Sequence, residues 1–195
     1  MKKETVIFRW LLVVLLSVSL VWGAAAVWRL WFLIPCRVEA DCRGRETSVE
    51  DIRQWEEQDD QGALGLFRLA GWRIDREQQV FSVNTGRHQS ARIISVYGSM
   101  ELAGQGELLC GRYGLPLEGD FCVVTEALAR ELLGSTWILG EPLQLGGRRM
   151  TVAGVIRSQE RILLMPMEEG VIQQLAVELK GCGRARERVE RMMGE

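Results

Sequence analysis

The side chains able to do nucleophilic, acid–base or metal chemistry are few and poorly spaced for it. The single histidine, His88, lies in the polar stretch Arg87-His88-Gln89, which reads as a solvated turn. Neither immediate neighbour is a Ser or Cys that would complete a nucleophile–base pair. Five cysteines, Cys36, Cys42, Cys110, Cys122 and Cys182, include no CxxC pair, so the ligand spacing of a structural zinc site is missing. In an exported domain, Cys110 with Cys122 and Cys36 with Cys42 are close enough in sequence to pair; the competing reading is buried free thiols, and the odd count leaves at least one without an intramolecular partner. Glu56, Glu57, Asp59 and Asp60 cluster where a helix should end, but without the alternating ligands of a calcium loop, so they read as a solvated surface.

Cofactor motifs are missing as well. No GxxxxGK[ST] phosphate cradle and no GxSxG elbow occurs. Gly104-Gln105-Gly106 is followed by Glu107-Leu108-Leu109 instead of a correctly spaced third glycine. Trp55, Trp72 and Trp137 are of a type that lines ligand pockets, but nothing places them on one face, and the reading preferred for all three is core. The expectation is a protein with no catalytic, cofactor-binding or metal-binding residue, that is, not an enzyme.

The elements that must position any other function begin with an apolar run. Trp10–Trp28 carries no charge, and as a helix it would span roughly 28 Å, against about 30 Å for a bilayer core. Trp10, Trp28, Trp31 and Phe32 sit near its ends, where indole rings, apolar bodies with one polar N–H, favour the headgroup level. Lys2, Lys3 and Arg9 outnumber Glu4 before it, which places the N-terminus in the cytoplasm and the bulk of the chain outside. The competing reading, a signal peptide cleaved near Ala24-Ala25-Ala26, requires a shorter run, and this one resumes at Leu30–Ile34. Lysine and arginine total 24 against 26 acidic residues, a net −2, and the part beyond the apolar run is the more acidic. A mildly acidic domain without a basic stripe argues against nucleic acid and against a domain held to anionic lipid by charge.

Beyond a polar exit over 35–46, the sequence predicts a helix at about 48–59, capped by Thr47 or Ser48 with Glu50 or Asp51 three positions on. Strands are expected at Leu64–Trp72, Val80–Thr85, Ala91–Tyr97 and Phe121–Val124. Thr125 should cap a helix over Glu126–Leu133 that Gly134 ends. Leu143–Leu145 and Arg149–Ile156 flank Gly146-Gly147, a two-residue hairpin signal. Strands at Arg161–Met165 and Leu175–Leu179, a short helix near Glu168–Gln173 and an amphipathic helix over Arg184–Met193 complete an α+β pattern.

The stretch Gly111–Ile156 resembles the periplasmic core domain of MacB-type and related ABC transporter permeases. The likeness rests on Gly111-Arg112, on Asp120 before Phe121-Cys122-Val123-Val124, on Ala127-Leu128-Ala129 with Leu132 and Gly134, and on Gly140, Leu143, Leu145, Gly147 and Thr151-Val152-Ala153-Gly154-Val155. These are structural positions and speak to fold more than to activity. The resemblance implies a domain that follows directly on a first membrane helix and carries conformational change between ATPase-driven membrane helices and an exported substrate or partner. It also sets a departure: such permeases have three more membrane helices after the domain, whereas this chain stops at Glu195.

The expectation is therefore a single N-terminal transmembrane helix followed by a small mixed α/β extracytoplasmic domain. Residues 1–34 form the cytoplasmic tail and anchor, 35–47 a linker and 48–195 the MacB-like core domain. The function expected is that of a single-pass subunit or partial permease of an ABC-transporter-like system. Its partners would be the lipid bilayer, a multi-span permease and an ABC ATPase. The alternative is a stand-alone membrane-anchored binding or sensing module.

Overall fold

The computed structural model describes residues 15–28, 35–59, 65–104, 106–114, 120–180 and 184–193. Residues 15–28 are helical (α1) and exposed throughout; positions 10–14 of the apolar run lie outside the described residues. Among the described residues no helix is long and apolar enough to cross a membrane.

The domain begins with strand β1, Pro35–Asp41, where a polar exit was expected. Its signal is a period of two carried by small residues: Cys36, Val38 and Ala40 face inward, and Arg37, Glu39 and Asp41 outward. Helix α2, Val49–Asp59, starts at a capping box. The Ser48 amide and hydroxyl donate to Asp51 Oδ2 at 2.7 and 2.9 Å, and the Asp51 amide donates back to Ser48 Oγ. Of the two candidate caps, Ser48 is the one used.

Two predicted strands are one. Strand β2, Leu66–Ser82, runs for 17 residues, roughly 55 Å, through the polar stretch Arg73–Gln79. It pairs antiparallel with β3, His88–Gly98, which begins earlier than expected. A four-residue helix α3, Met100–Ala103, and strand β4, Leu108–Gly111, follow. Then come β5, Phe121–Thr125; α4, Glu126–Leu133; β6, Pro142–Leu145; and β7, Arg148–Ile156. Gly134 ends α4 in the left-handed conformation, its N–H on Arg130 O, and Gly146 and Gly147 both take positive φ in the hairpin turn. Strands β8, Ile162–Pro166, and β9, Gln174–Lys180, precede α5, Ala185–Met192. The helix expected near Glu168–Gln173 is instead an irregular connection, tied to the start of α2 by a Ser48–Val171 bridge. Its Gly170 takes φ 126°, a conformation outside any helix.

The strands divide the molecule in two. The second half of β2 turns back to pair with β6, so β2-β3-β8-β5-β7-β6 closes on itself as a six-stranded barrel. Every strand of the ring supplies interior side chains, among them Val80, Ile93, Leu163, Val124, Met150 and Leu143, with Leu128, Ala129 and Leu132 of α4 packed among them. Neighbouring residues such as Ile94, Leu164 and Val123 face outward under α3 and the Leu108 segment. Burial on both faces explains why these strands read as unbroken apolar runs. The first half of β2 instead carries β9 and then β1 as an open sheet edge. There α2 and α5 pack Val49, Ile52, Ala185 and Val189 against Leu69, Leu175, Val177 and Leu179.

Candidate functional site

The residues singled out for chemistry are dispersed by the fold. His88 is the first residue of β3, not a turn; it pairs with Phe81, and the two rings lie 5.4 Å apart. Glu56 accepts the Tyr97 hydroxyl proton at 3.1 Å, while burial, with Glu56 next, raises the Tyr97 pKa. Asp59 accepts the Gly65 and Leu66 amides at 2.9 and 2.8 Å, so its carboxylate joins the end of α2 to the start of β2. Asp60 lies outside the described residues. Among the described residues no group of three or more His, Cys, Asp or Glu could hold a metal ion.

Neither anticipated cysteine pair is bonded: Cys42, Cys110 and Cys122 are free thiols, and Cys182 lies outside the described residues. Cys122 points into the barrel, where burial pushes its thiol up to about 12. Cys110 donates its thiol to Thr136 O at 3.3 Å. Desolvation also raises the Cys42 thiol.

Positions carried by the resemblance have structural work. The Asp120 carboxylate accepts Arg148 Nε at 2.8 Å, and its carbonyl accepts the Thr151 amide, so both groups hold the start of β5 to β7. Gly111 and Gly154 face each other across β4 and β7, where a side chain on either would strike the opposite backbone. Thr125 stands at the N-cap of α4 but makes no capping bond. Its hydroxyl donates to Ile162 O and accepts the Ile162 amide, tying β5 to β8.

Two surface features remain. A cleft of about 470 Å³ opens where α2 meets β3 and β8, lined by Arg53, Tyr97, Met100, Phe121, Met167 and Glu168. Arg53 lies 5.7 Å from the Tyr97 ring centre and donates to Glu168 O at 3.1 Å. The second feature was missed in sequence. Trp72 is buried and Trp55 half-buried, but Trp137, read as core, is 81% exposed on the loop after α4, with Leu139 also exposed. That loop is fastened beneath them, Gly140 N donating to Val152 O, so the indole is presented and not frayed. Its tell was Ser135-Thr136 ahead of it, a break in apolar periodicity that takes the residue off the helix.

No family model matches the chain, and no curated relative matches it in sequence. Solved structures do match. The extracellular domain of the noncanonic ABC-type transporter YknZ from Gram-positive bacteria superposes with a TM-score of 0.58 at 14% identity, over 78% of this chain and 88% of that one. The periplasmic region of MacB from Actinobacillus actinomycetemcomitans gives 0.60 at 13% identity, over 74% and 70%. The fold is that of a MacB-like periplasmic core domain. A domain assigned to a permease protein from Porphyromonas gingivalis gives 0.52 at 16% identity, over 69% and 70% of the two chains. At these identities the likeness is one of fold, which agrees with the structural roles of Gly111, Asp120 and Gly154 in this core-domain fold.

Proposed function

We propose that the chain is a membrane-anchored extracytoplasmic subunit or partial permease of an ABC-transporter-like system, working through protein–protein contacts and not catalysis. The observation that carries this reading is the join between α1 and β1. A charge-free helix, exposed along its described length, leads within six residues into a strand of a sheet with the core-domain fold. Residues 1–34 then serve as cytoplasmic tail and anchor, and the extracytoplasmic domain starts at β1, within the 35–47 stretch read as linker, and continues through 48–195. The partners this reading calls for are the bilayer, a multi-span permease and an ABC ATPase.

Contact is assigned to the barrel half through Trp137 and Leu139. Exposed tryptophan is the type most enriched where binding energy concentrates. The Arg53–Tyr97 cleft favours the second reading, a stand-alone binding or sensing module, because it joins apolar walls to a few polar groups.

Fractionation with alkaline carbonate, followed by protease digestion of intact cells or spheroplasts, tests the anchor and its orientation. The proposal expects the chain in the carbonate-resistant pellet, with the domain digested from outside. Release into the soluble fraction, or protection of the domain in sealed cells, would contradict it.

A further inference from the structure

The sheet end that follows the proposed anchor in sequence carries a largely exposed aromatic side chain. Pro35 of β1 lies opposite Lys180 of β9, and Leu66 of β2 opposite Leu179, so the start of β1, the end of β9 and the start of β2 share one end. Along β2 the register slips between Leu66 and Arg68: those two residues face Leu179 and Glu178, and Phe67 is the extra residue. Such a bulge re-aims a side chain. Here it turns the Phe67 ring outward, 56% exposed, with the Arg68 guanidinium 5.6 Å from the ring centre.

Connectivity and chemistry point the same way. Two strand spacings, roughly 10 Å, separate β2 from β1. Six residues join α1 to Pro35, so Pro35 lies within at most about 25 Å of Trp28. Exposed Lys180 ends β9 here and exposed Arg184 follows it, within 3.8 Å of the Glu187 carboxylate; both are long cations that can reach phosphates. The nearby carboxylates are committed: Asp59 to the Gly65 and Leu66 amides, Glu56 to Tyr97, and Glu178 to Arg68 Nε at 2.8 Å.

We propose that Phe67 is a membrane-interface contact: its ring inserts among lipid headgroups beside the anchor, with Lys180 and Arg184 on the phosphates, and sets how the sheet stands on the bilayer. This rests on the anchor reading. It needs no net positive domain, because burial of an apolar phenyl ring at the headgroup/acyl boundary is favourable by itself.

The test places the photo-crosslinking residue p-benzoylphenylalanine at position 67 of the full-length protein in native membranes. A control carries it at position 81, also exposed, 14 residues further along β2 in the half that pairs with β6 and closes the barrel. The proposal expects lipid adducts by mass spectrometry at 67 and their loss at 81. Membrane-retained protein without a lipid adduct at 67, with equal adducts at both positions, or with a protein adduct at 67 would overturn it and leave the anchor standing. Protein released by carbonate would overturn both.

Discussion

The barrel half and the open-sheet half solve the same problem, burying a small core, in different ways. The barrel closes on itself, and much of it is made by neighbours in sequence: β5 leads into α4, and β6 turns into β7 through Gly146-Gly147. The open half is assembled from the two ends of the domain, β1 and α2 from one and β9 and α5 from the other. Its outer strand, β1, pairs with β9, and Arg37 of β1 donates to Leu102 O of α3 at 2.8 Å. The long strand β2 is common to both. If residues 1–34 anchor the chain as proposed, a movement there would pass to the barrel through β1, β9 and then β2.

The largest effect that would break this comparison comes from matched core truncations. Leu163→Ala in the barrel and Leu175→Ala in the open half remove side chains of 0% exposure, and each should cost about 2–5 kcal/mol in chemical denaturation. If β2 couples the halves, both variants shift one shared transition; a Leu175→Ala variant whose barrel signals melt unchanged would show two independent units. Next in size, Gly111→Ala forces a side chain at φ 76° onto Ala153 O and should cost about 1–3 kcal/mol. Hydrogen exchange should show the Arg112 amide, which donates to Ala153 O, losing protection first.

Ser48→Ala removes the hydroxyl half of the α2 capping box, leaving the backbone amide bond to Asp51, and should cost about 1 kcal/mol, with faster exchange confined to α2 and the Val171 connection. Faster exchange spreading into α4 would contradict the division. Trp137→Ala should leave the melting temperature nearly unchanged, because the indole is exposed, while reducing partner capture. The effect that is smallest at neutral pH, where the thiol is protonated in both states, is alkaline. The Cys122 thiol rises from 9.0 to about 12 on burial, so the folded state holds its proton more tightly than the unfolded one. Its contribution is intact below pH 9 and is lost as pH climbs toward 12, so Cys122→Ala should flatten the decline of stability over that window.

Legibility followed the same division. α4 with its Gly134 stop, and the Gly-Gly hairpin, were readable because capping and turn chemistry are local. The barrel's closure was not, since the β2–β6 pairing joins residues about sixty positions apart and leaves no local mark. β1 was hidden because Cys36, Val38 and Ala40 are small and their alternation is weak beside Arg37, Glu39 and Asp41. The polar stretch Arg73–Gln79 looked like a break in β2, yet it stays extended because β3 pairs along most of it. Among site residues, the solvent exposure of His88 was readable from its polar neighbours. The exposure of Trp137 and the bulge at Phe67 arise from tertiary pairing and were not.

The central claim, that this domain serves a transport system through protein contacts, is tested most directly by capturing its neighbours. The tagged full-length protein would be crosslinked briefly in native membranes, extracted in mild detergent and purified, with partners identified by mass spectrometry. The account predicts a multi-span permease or an ABC ATPase in the purified material, diminished by Trp137→Ala. Recovery of the protein alone, or only with copies of itself, would contradict it.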